Sequence, residues 1–262
     1  MGHSSSDLIK NPRIAFAGVG DSNSLLGRIK GGDALPKKTG VQNRFNGEVL
    51  KTPPKTYQIP DGVKAIFSEH NLSIEDFNKI NAKKFKTSQE IALLKAIREK
   101  IPTPTSITTM RKVIPTEYLD GMISNPDYAN VGGFVTDKTY VKHITEMKDV
   151  FDSSRLDYPD TLFKVDGDYA YIDFATEEIN KAGIPYSPDF GGRDVSAWPF
   201  TGSGFTAGKN GTVVPEWMVP KGESMVPKKG SVIHQVVGGK DSIVAEWIVN
   251  PIKKTEGWKD FR

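Results

Sequence analysis

One stretch of the chain combines small hydroxyl residues and glycines with large aromatic residues. It spans residues 198–209 and has the sequence WPFTGSGFTAGK. Glycine allows a backbone to approach a ligand closely. Thr201, Ser203 and Thr206 add hydroxyls, and Phe205 adds a flat ring face. This combination suits a planar ring held beside a ribose, and it suits equally a glycine-rich hairpin whose aromatic rings lie in the core.

A second candidate segment contributes a cation. Arg155 lies shortly before an aromatic residue, Tyr158. A guanidinium binds phosphate through two hydrogen bonds and keeps its charge at every physiological pH. We therefore expect either a phosphate contact by Arg155 or an ion pair with Asp157 or Asp160.

Two carboxylates in the last third of the chain are each followed by tryptophan. Glu216 lies between Pro215 and Trp217, and Glu246 precedes Trp247. A carboxylate that faces a cleft beside such a ring would be desolvated, which alters its pKa. Either glutamate could instead be a structural residue of a strand.

In chain order, Arg155, the hydroxyls of Thr201 and Ser203, and then Glu216 or Glu246 resemble the Arg, Ser-x-Ser, Glu arrangement of the ADP-ribosyltransferase superfamily. The resemblance implies that Arg155, Ser203 and one of the glutamates are catalytic and that NAD is the substrate. The glutamate would stabilise the positive charge that grows on the ribose as nicotinamide leaves. The implied NAD-binding residues are Arg155, Tyr158, Thr201, Ser203, Phe205 and Thr206.

The chain departs from that pattern in two places. Thr201-Gly-Ser203 stands where the family has Ser-Thr-Ser, and no Glu-x-Glu or Gln-x-Glu motif precedes either candidate glutamate. Transfer of ADP-ribose to a target and hydrolysis of NAD by water therefore both remain open.

A ribonuclease is the alternative enzymatic interpretation. His234 lies in a strand-like run, and histidine titrates near neutral pH, as a general base must. Lys228 and Lys229 would then be the phosphate-binding cations. A structural role for a single histidine in a strand is the competing interpretation.

Composition excludes several classes of site. There is no cysteine, which rules out disulfides, thiol nucleophiles and thiolate metal sites. The four histidines have no metal-ligand spacing, and Gly202-Ser-Gly204 lacks the spacing of a hydrolase nucleophile elbow. The net charge of +3 comes without a dense basic stripe, so no clear nucleic-acid signal is present. No apolar run is long enough for a membrane span.

The distribution of glycine and proline along the chain predicts three structural regions. Residues 1–60 are rich in turn formers, and residues 61–105 have helical periodicity that ends in the Pro-rich linker IPTPT. Residues 106–262 alternate turn signals with β-branched and aromatic runs. We expect an α+β protein, in which a loop-rich and helical N-terminal region precedes a mostly antiparallel, β-rich, ADP-ribosyltransferase-like catalytic domain.

The expected helices cover residues 61–81 and 88–100, with others near residues 116–123, 138–147 and 176–181. In the strand-like run YAYIDF, the acidic Asp173 is expected to meet solvent. The predicted strands are Val131–Val135, Tyr169–Phe174, Thr212–Val219, Ser231–Val237 and Ile243–Val249.

Residues 61–81 resemble the helix–turn–helix part of a LysM module, with Asp-Gly where the family has Gly-Asp. Together with the linker and the lack of cysteine, this organisation resembles that of bacterial polymorphic toxins and injected effectors. The resemblance implies a secreted or injected protein, a possible protein target and a possible cognate immunity protein. A non-catalytic structural or cell-wall-binding protein is the third interpretation.

Overall fold

The computed structural model describes residues 59–83, 85–158, 160–192, 202–206, 208–250, 252 and 255–262. The loop-rich region expected over residues 1–60 lies almost wholly outside the described residues, and so does Thr201. No helix in the described part of the chain is long and apolar enough to cross a membrane.

Three helices precede the sheet, as the periodicity predicts. The second begins after Ser73, whose hydroxyl accepts a hydrogen bond from the Asp76 amide. The third begins with a complete capping box, in which the side chains of Thr87 and Glu90 each accept from the other's backbone amide. The helices are α1 (Asp61–Glu69), α2 (Ile74–Ala82) and α3 (Ser88–Glu99).

The strands form one seven-stranded sheet, and each described pairing between neighbours is antiparallel. Its order is β4-β2-β1-β3-β5-β6-β7. An α+β fold with a mostly antiparallel sheet is thereby confirmed. The strands are β1 (Met110–Ile114), β2 (Gly133–Asp137), β3 (Tyr169–Phe174), β4 (Trp217–Val219), β5 (Val232–Val237), β6 (Lys240–Asn250) and β7 (Thr255–Asp260), with short helices α4 (Leu119–Ser124) and α5 (Met147–Ser153) between them.

Several elements differ from the sequence prediction. β1 and β7 were not predicted, because MRKVI and TEGWKD place charged residues where an alternating pattern calls for apolar ones. The helix expected over residues 138–147 is instead a single 3-10 turn at Lys138–Tyr140, and α5 begins only at Met147.

One face of the sheet, here called the helical face, packs against α1 to α4. Met110 and Ile114 of β1 share a core with Leu94 and Ile97 of α3. Ile101, in the Pro-rich segment that follows α3, belongs to the same core. The helical region and the sheet therefore share a core, joined by that segment.

The opposite face, here called the cleft face, has a smaller core of its own. Val113 of β1 and Tyr169 and Tyr171 of β3 meet apolar side chains from the segment 141–163. Because side chains alternate along a strand, Arg111 and Asp173 also lie on this face. The segment contributes Val141, Ile144, Val150, Phe151, Leu156, Tyr158 and Phe163.

Lys112 is a charged residue on the helical face, and its side chain is fully buried. Its Nζ donates to the carbonyl oxygen of Gly132 at 2.6 Å. Burial lowers the pKa of this amine from 10.5 to about 7. At pH values between these two, the lysine is neutral in the folded chain and charged in the unfolded chain, so folding releases a proton and stability increases as pH rises.

Replacement of Lys112 by methionine keeps the length of the side chain and removes the amine. We expect Lys112→Met to raise the free energy of unfolding at pH 7 by about 2 kcal/mol, because the cost of neutralising a buried lysine exceeds that of one lost hydrogen bond. We also expect it to abolish the lysine's contribution to the rise in stability between pH 7 and 10. Urea unfolding across this pH range measures both effects.

The exposed lysine of α3 provides the matched control. Lys95→Met should leave the pH dependence of stability as in the parent chain, because Lys95 is exposed. A Lys112→Met chain with lower stability and an unchanged pH dependence would contradict the assignment.

Candidate active-site cleft

A small cleft opens on the cleft face between the sheet and the segment 141–154. The space within it, together with open solvent at its mouth, is about 290 Å³. Its walls are mostly apolar, and one guanidinium lies among them, a composition usual for sites that bind small molecules. The lining residues are Arg111, Val113, Val141, Ile144, Val150, Ser154, Tyr169 and Tyr171.

Arg111 is held by a carboxylate on the neighbouring strand. Its Nε and Nη2 donate to the two carboxylate oxygens of Asp173 at 2.7 and 2.8 Å. Lys138 also contacts Asp173, with 2.8 Å between Nζ and Oδ2. Two cations thus share one carboxylate, so the group carries one net positive charge and favours an anionic ligand.

The ionisation of this group follows from its contacts. Burial alone would raise the pKa of Asp173, but the bonds from Arg111 and Lys138 outweigh burial and leave the pKa lowered. Burial likewise opposes the charge on Arg111, and the bond to Asp173 more than offsets it, so the pKa of the guanidinium is raised. Both groups remain charged at neutral pH.

A stack of side chains crosses β1, β3 and β5 beside the cleft. The Cζ atom of Arg111 lies 3.9 Å from the ring centroid of Tyr171. The His234 ring stacks on Tyr171 with 4.4 Å between centroids and 11° between planes. Asp241 accepts hydrogen bonds from the Tyr171 hydroxyl and from Nδ1 of His234. His234, which the sequence singled out as a general base, therefore lies on the outer side of a ring that lines the cleft.

Arg155 is placed away from the cleft lining. It has a left-handed backbone conformation (φ 50°), and its buried guanidinium donates to both oxygens of Asp157. The ion pair anticipated as one alternative for Arg155 is therefore present. Tyr158 is also buried, within the smaller core.

The hairpin of residues 202–216 contains most of the other predicted site residues. Phe205 pairs with Pro215 and packs on Phe77 of α2, with 5.6 Å between ring centroids. Thr206 accepts from the Val214 amide through its hydroxyl. Ser203 is fully buried, and its hydroxyl has no hydrogen-bond partner among the described residues.

The two candidate glutamates lie on opposite sides of Arg111. Glu216 is buried, and Met218, two residues on, belongs to the smaller core, which places Glu216 on the cleft face about two strand spacings, or about 10 Å, from Arg111. Glu246 pairs with Lys259, and the register Arg111–Asp173–Val232–Glu246 places it on the same face as Arg111, about three spacings, or about 14 Å, away.

The structure thus brings the predicted residues into two groups. The first is the hairpin that contains Ser203, Phe205, Thr206 and Glu216. The second is the segment after α5 that contains Arg155 and Tyr158. The salt bridge from Asp157 to Lys209 links Arg155 to the hairpin's loop.

The residues nearest the cleft are ones that sequence analysis missed. Arg111 lies in a strand that was not predicted, and Asp173 was expected to meet solvent, which is wrong, because its side chain is 3% exposed and paired. The available signal was Asp173, a charged residue within the predicted strand YAYIDF, since a charge buried in a sheet requires a partner.

Comparison of the chain with protein-family models, with curated proteins and with solved structures finds no match. Within the described residues, no cluster of three or more metal-ligating side chains occurs. The geometry of the cleft and its surroundings is therefore the basis for the proposed function.

Asp157 joins the end of α5 to the hairpin loop, because it binds both Arg155 and Lys209. Burial would raise its pKa, but these two cations outweigh burial and lower the pKa from 3.8 to about 2. The stabilisation is therefore complete above pH 4 and is lost as pH falls from about 4 to 2. We expect Asp157→Asn to lower the free energy of unfolding at pH 7 by about 3 kcal/mol, because it leaves a buried guanidinium without its anion.

Asp152→Asn is the control for that measurement, since Asp152 pairs with the exposed Lys148 one helical turn away, and loss of that pair should cost about 0.5 kcal/mol. Urea unfolding at pH 7 and pH 3 should show the Asp157→Asn deficit shrinking at the lower pH. An equal deficit at both pH values would rule out the ion pairs as its cause.

Proposed function

We propose that this protein cleaves NAD at the bond between nicotinamide and ribose and transfers ADP-ribose to water or to a target. The observation that carries the proposal is the position of Arg111 in the wall of an otherwise apolar cleft, beside Lys138. A cation for the diphosphate and an apolar cavity for a ring are the two features that binding a dinucleotide demands.

The size of the cleft decides which part of NAD it takes. The space of about 290 Å³ includes open solvent at the mouth, so the enclosed part is smaller still and does not hold a whole dinucleotide. We assign the mouth of the cleft to the nicotinamide end. The remainder of NAD would lie outside the cleft, across the part of the sheet that carries His234.

The roles of the residues change from those that the sequence suggested. Arg111 and Lys138 replace Arg155 as the groups that bind the diphosphate, because Arg111 lines the cleft and Arg155 is not among its lining residues. Glu216 is the preferred glutamate, since it is buried and lies closer to Arg111 than Glu246 does. Its carboxylate would stabilise the positive charge on the ribose as the bond to nicotinamide breaks.

A secreted or injected bacterial effector remains the setting that we propose for this activity. The resemblance of the chain's organisation to that of polymorphic toxins supports it. A protein target and a cognate immunity protein are the partners implied by that setting.

The test is release of nicotinamide from NAD by the purified full chain, followed by chromatography. We expect Lys138→Gln to lower kcat/KM about tenfold, because it removes one charge-assisted bond to phosphate without opening the core. Arg111→Lys should lower it by a hundredfold or more, since lysine cannot make the two-pronged bond. Stable NAD in the presence of wild-type protein would refute the proposal.

Arg262→Gln is the matched control, because Arg262 pairs with Asp120 and Asp260 at the far end of the sheet. It should leave activity unchanged. Thermal unfolding of each variant separates loss of activity from loss of fold.

A ribonuclease is the second candidate, and one observation favours it. Nδ1 of His234 lies 2.9 Å from Oδ1 of Asp241; with a proton on Nδ1 donated to that carboxylate, Nε2 would be the nitrogen that accepts a proton, as a general base requires. Lys228 is held by Ser106 and Glu177, so Arg111 would be the phosphate-binding cation in its place.

This candidate predicts degradation of single-stranded RNA by the wild-type chain and at least a hundredfold slower degradation by His234→Gln. Intact RNA after incubation with wild-type protein would eliminate it. An unchanged rate in His234→Gln would eliminate His234 as the base.

A further inference from the structure

The outer end of the side-chain stack is a carboxylate on an exposed hairpin. Asp241 follows the turn between β5 and β6, in which Gly238 and Gly239 have positive φ angles. It does not line the cleft. It nevertheless bonds to two side chains that lie between it and Arg111.

We infer that Asp241 is a positioning residue, which fixes the Tyr171 ring and thereby orients the Arg111 guanidinium toward a ligand's diphosphate. The inference rests on the proposed function in taking a diphosphate as the ligand. It assigns a role to the β5–β6 hairpin, which contributes nothing else to the cleft.

The Tyr171 ring lies between Arg111 and His234. β3 lies between β1 and β5, so Arg111 and His234 approach this ring from opposite sides. Both faces of the ring are therefore occupied, one by the guanidinium at 3.9 Å and the other by the imidazole at 4.4 Å. Rotation of the ring about its axis would break both contacts.

Asp241 anchors the ring through the Tyr171 hydroxyl. One carboxylate oxygen accepts from the Tyr171 hydroxyl, and the other is 2.9 Å from Nδ1 of His234. Burial, together with the bond to Asp241, raises the pKa of the Tyr171 hydroxyl, so this hydroxyl remains a donor at neutral pH. Asp241 thus fixes the ring and the imidazole against each other.

Two of the three donor nitrogens of Arg111 are bonded to Asp173. Asp173 occupies Nε and Nη2, so Nη1 takes part in neither bond. The plane of the guanidinium is set by Asp173 on one side and by the Tyr171 ring below it. Since Arg111 lines the cleft, we infer that the direction in which Nη1 is presented there depends on the ring staying in place.

The measurement is the affinity of the full chain for ADP-ribose, by titration calorimetry. Loss of a hydrogen bond that orients a charged group is expected to weaken binding of ADP-ribose about tenfold in Asp241→Asn. Affinity for nicotinamide riboside, which has no diphosphate, should stay within about twofold. Tyr171→Phe keeps the ring and loses the hydroxyl, so it should show the same selective loss.

The double variant supplies a further check. If Asp241 acts through the Tyr171 hydroxyl, adding Asp241→Asn to Tyr171→Phe should weaken binding by much less than tenfold more, because the two residues are coupled. Asp168→Asn is the matched control, since Asp168 anchors the same hairpin by accepting from the Gly238 amide. It should leave both affinities unchanged.

Each outcome bears on one statement. Selective loss of ADP-ribose affinity upholds the positioning role even where the wild-type chain leaves NAD uncleaved, a result that refutes only the proposed function. An unchanged affinity in Asp241→Asn, an equal loss for both ligands, or a wild-type chain that does not bind ADP-ribose would overturn the inference.

Discussion

The ion pair between Arg111 and Asp173 is the interaction around which the cleft face is arranged. The two residues lie directly opposite each other on β1 and β3, at the centre of the sheet. Burying two charges costs free energy that only good geometry and further hydrogen bonds recover. The two-pronged contact and the added bond from Lys138 meet that condition. A shift of β1 by one residue would direct Arg111 into the helical face and leave Asp173 buried without it.

The need to pair buried charges also explains why the two faces of the sheet differ in charge. The helical face is covered by α1 to α4 and carries one buried cation, Lys112, which is paired only with a carbonyl oxygen. Its burial favours the neutral amine, so this face carries little charge. The cleft face keeps its charges because Asp173 pairs with both Arg111 and Lys138, which leaves one net positive charge there. The chemistry that we propose is confined to this second face for electrostatic reasons.

Periodicity in the sequence is sufficient to predict α1 to α3, the strands β3 and β5, and the α+β class, because their apolar residues repeat at helical or strand spacing. It fails for β1, where Arg111 and Lys112 occur in succession and mask the alternation. Both side chains are buried by tertiary contacts that no local pattern shows. Prediction of the candidate site fails for the same reason. The sequence favours Arg155, because it lies close to Tyr158, whereas the arginine that lines the cleft lies in a strand that could not be recognised.

The stack of Arg111, Tyr171 and His234 limits how a ligand can be recognised. Since both faces of the Tyr171 ring are covered, a planar ligand cannot stack on it and meets only its edge. Tyr169 is the other tyrosine that lines the cleft, and its hydroxyl is already bonded to the carbonyl of Thr145. Recognition must then come mainly from shape, through the apolar walls, and from charge, through Arg111 and Lys138. A site of this kind would select a ligand that joins a small flat group to an anion, which is the reason for proposing a dinucleotide as its substrate.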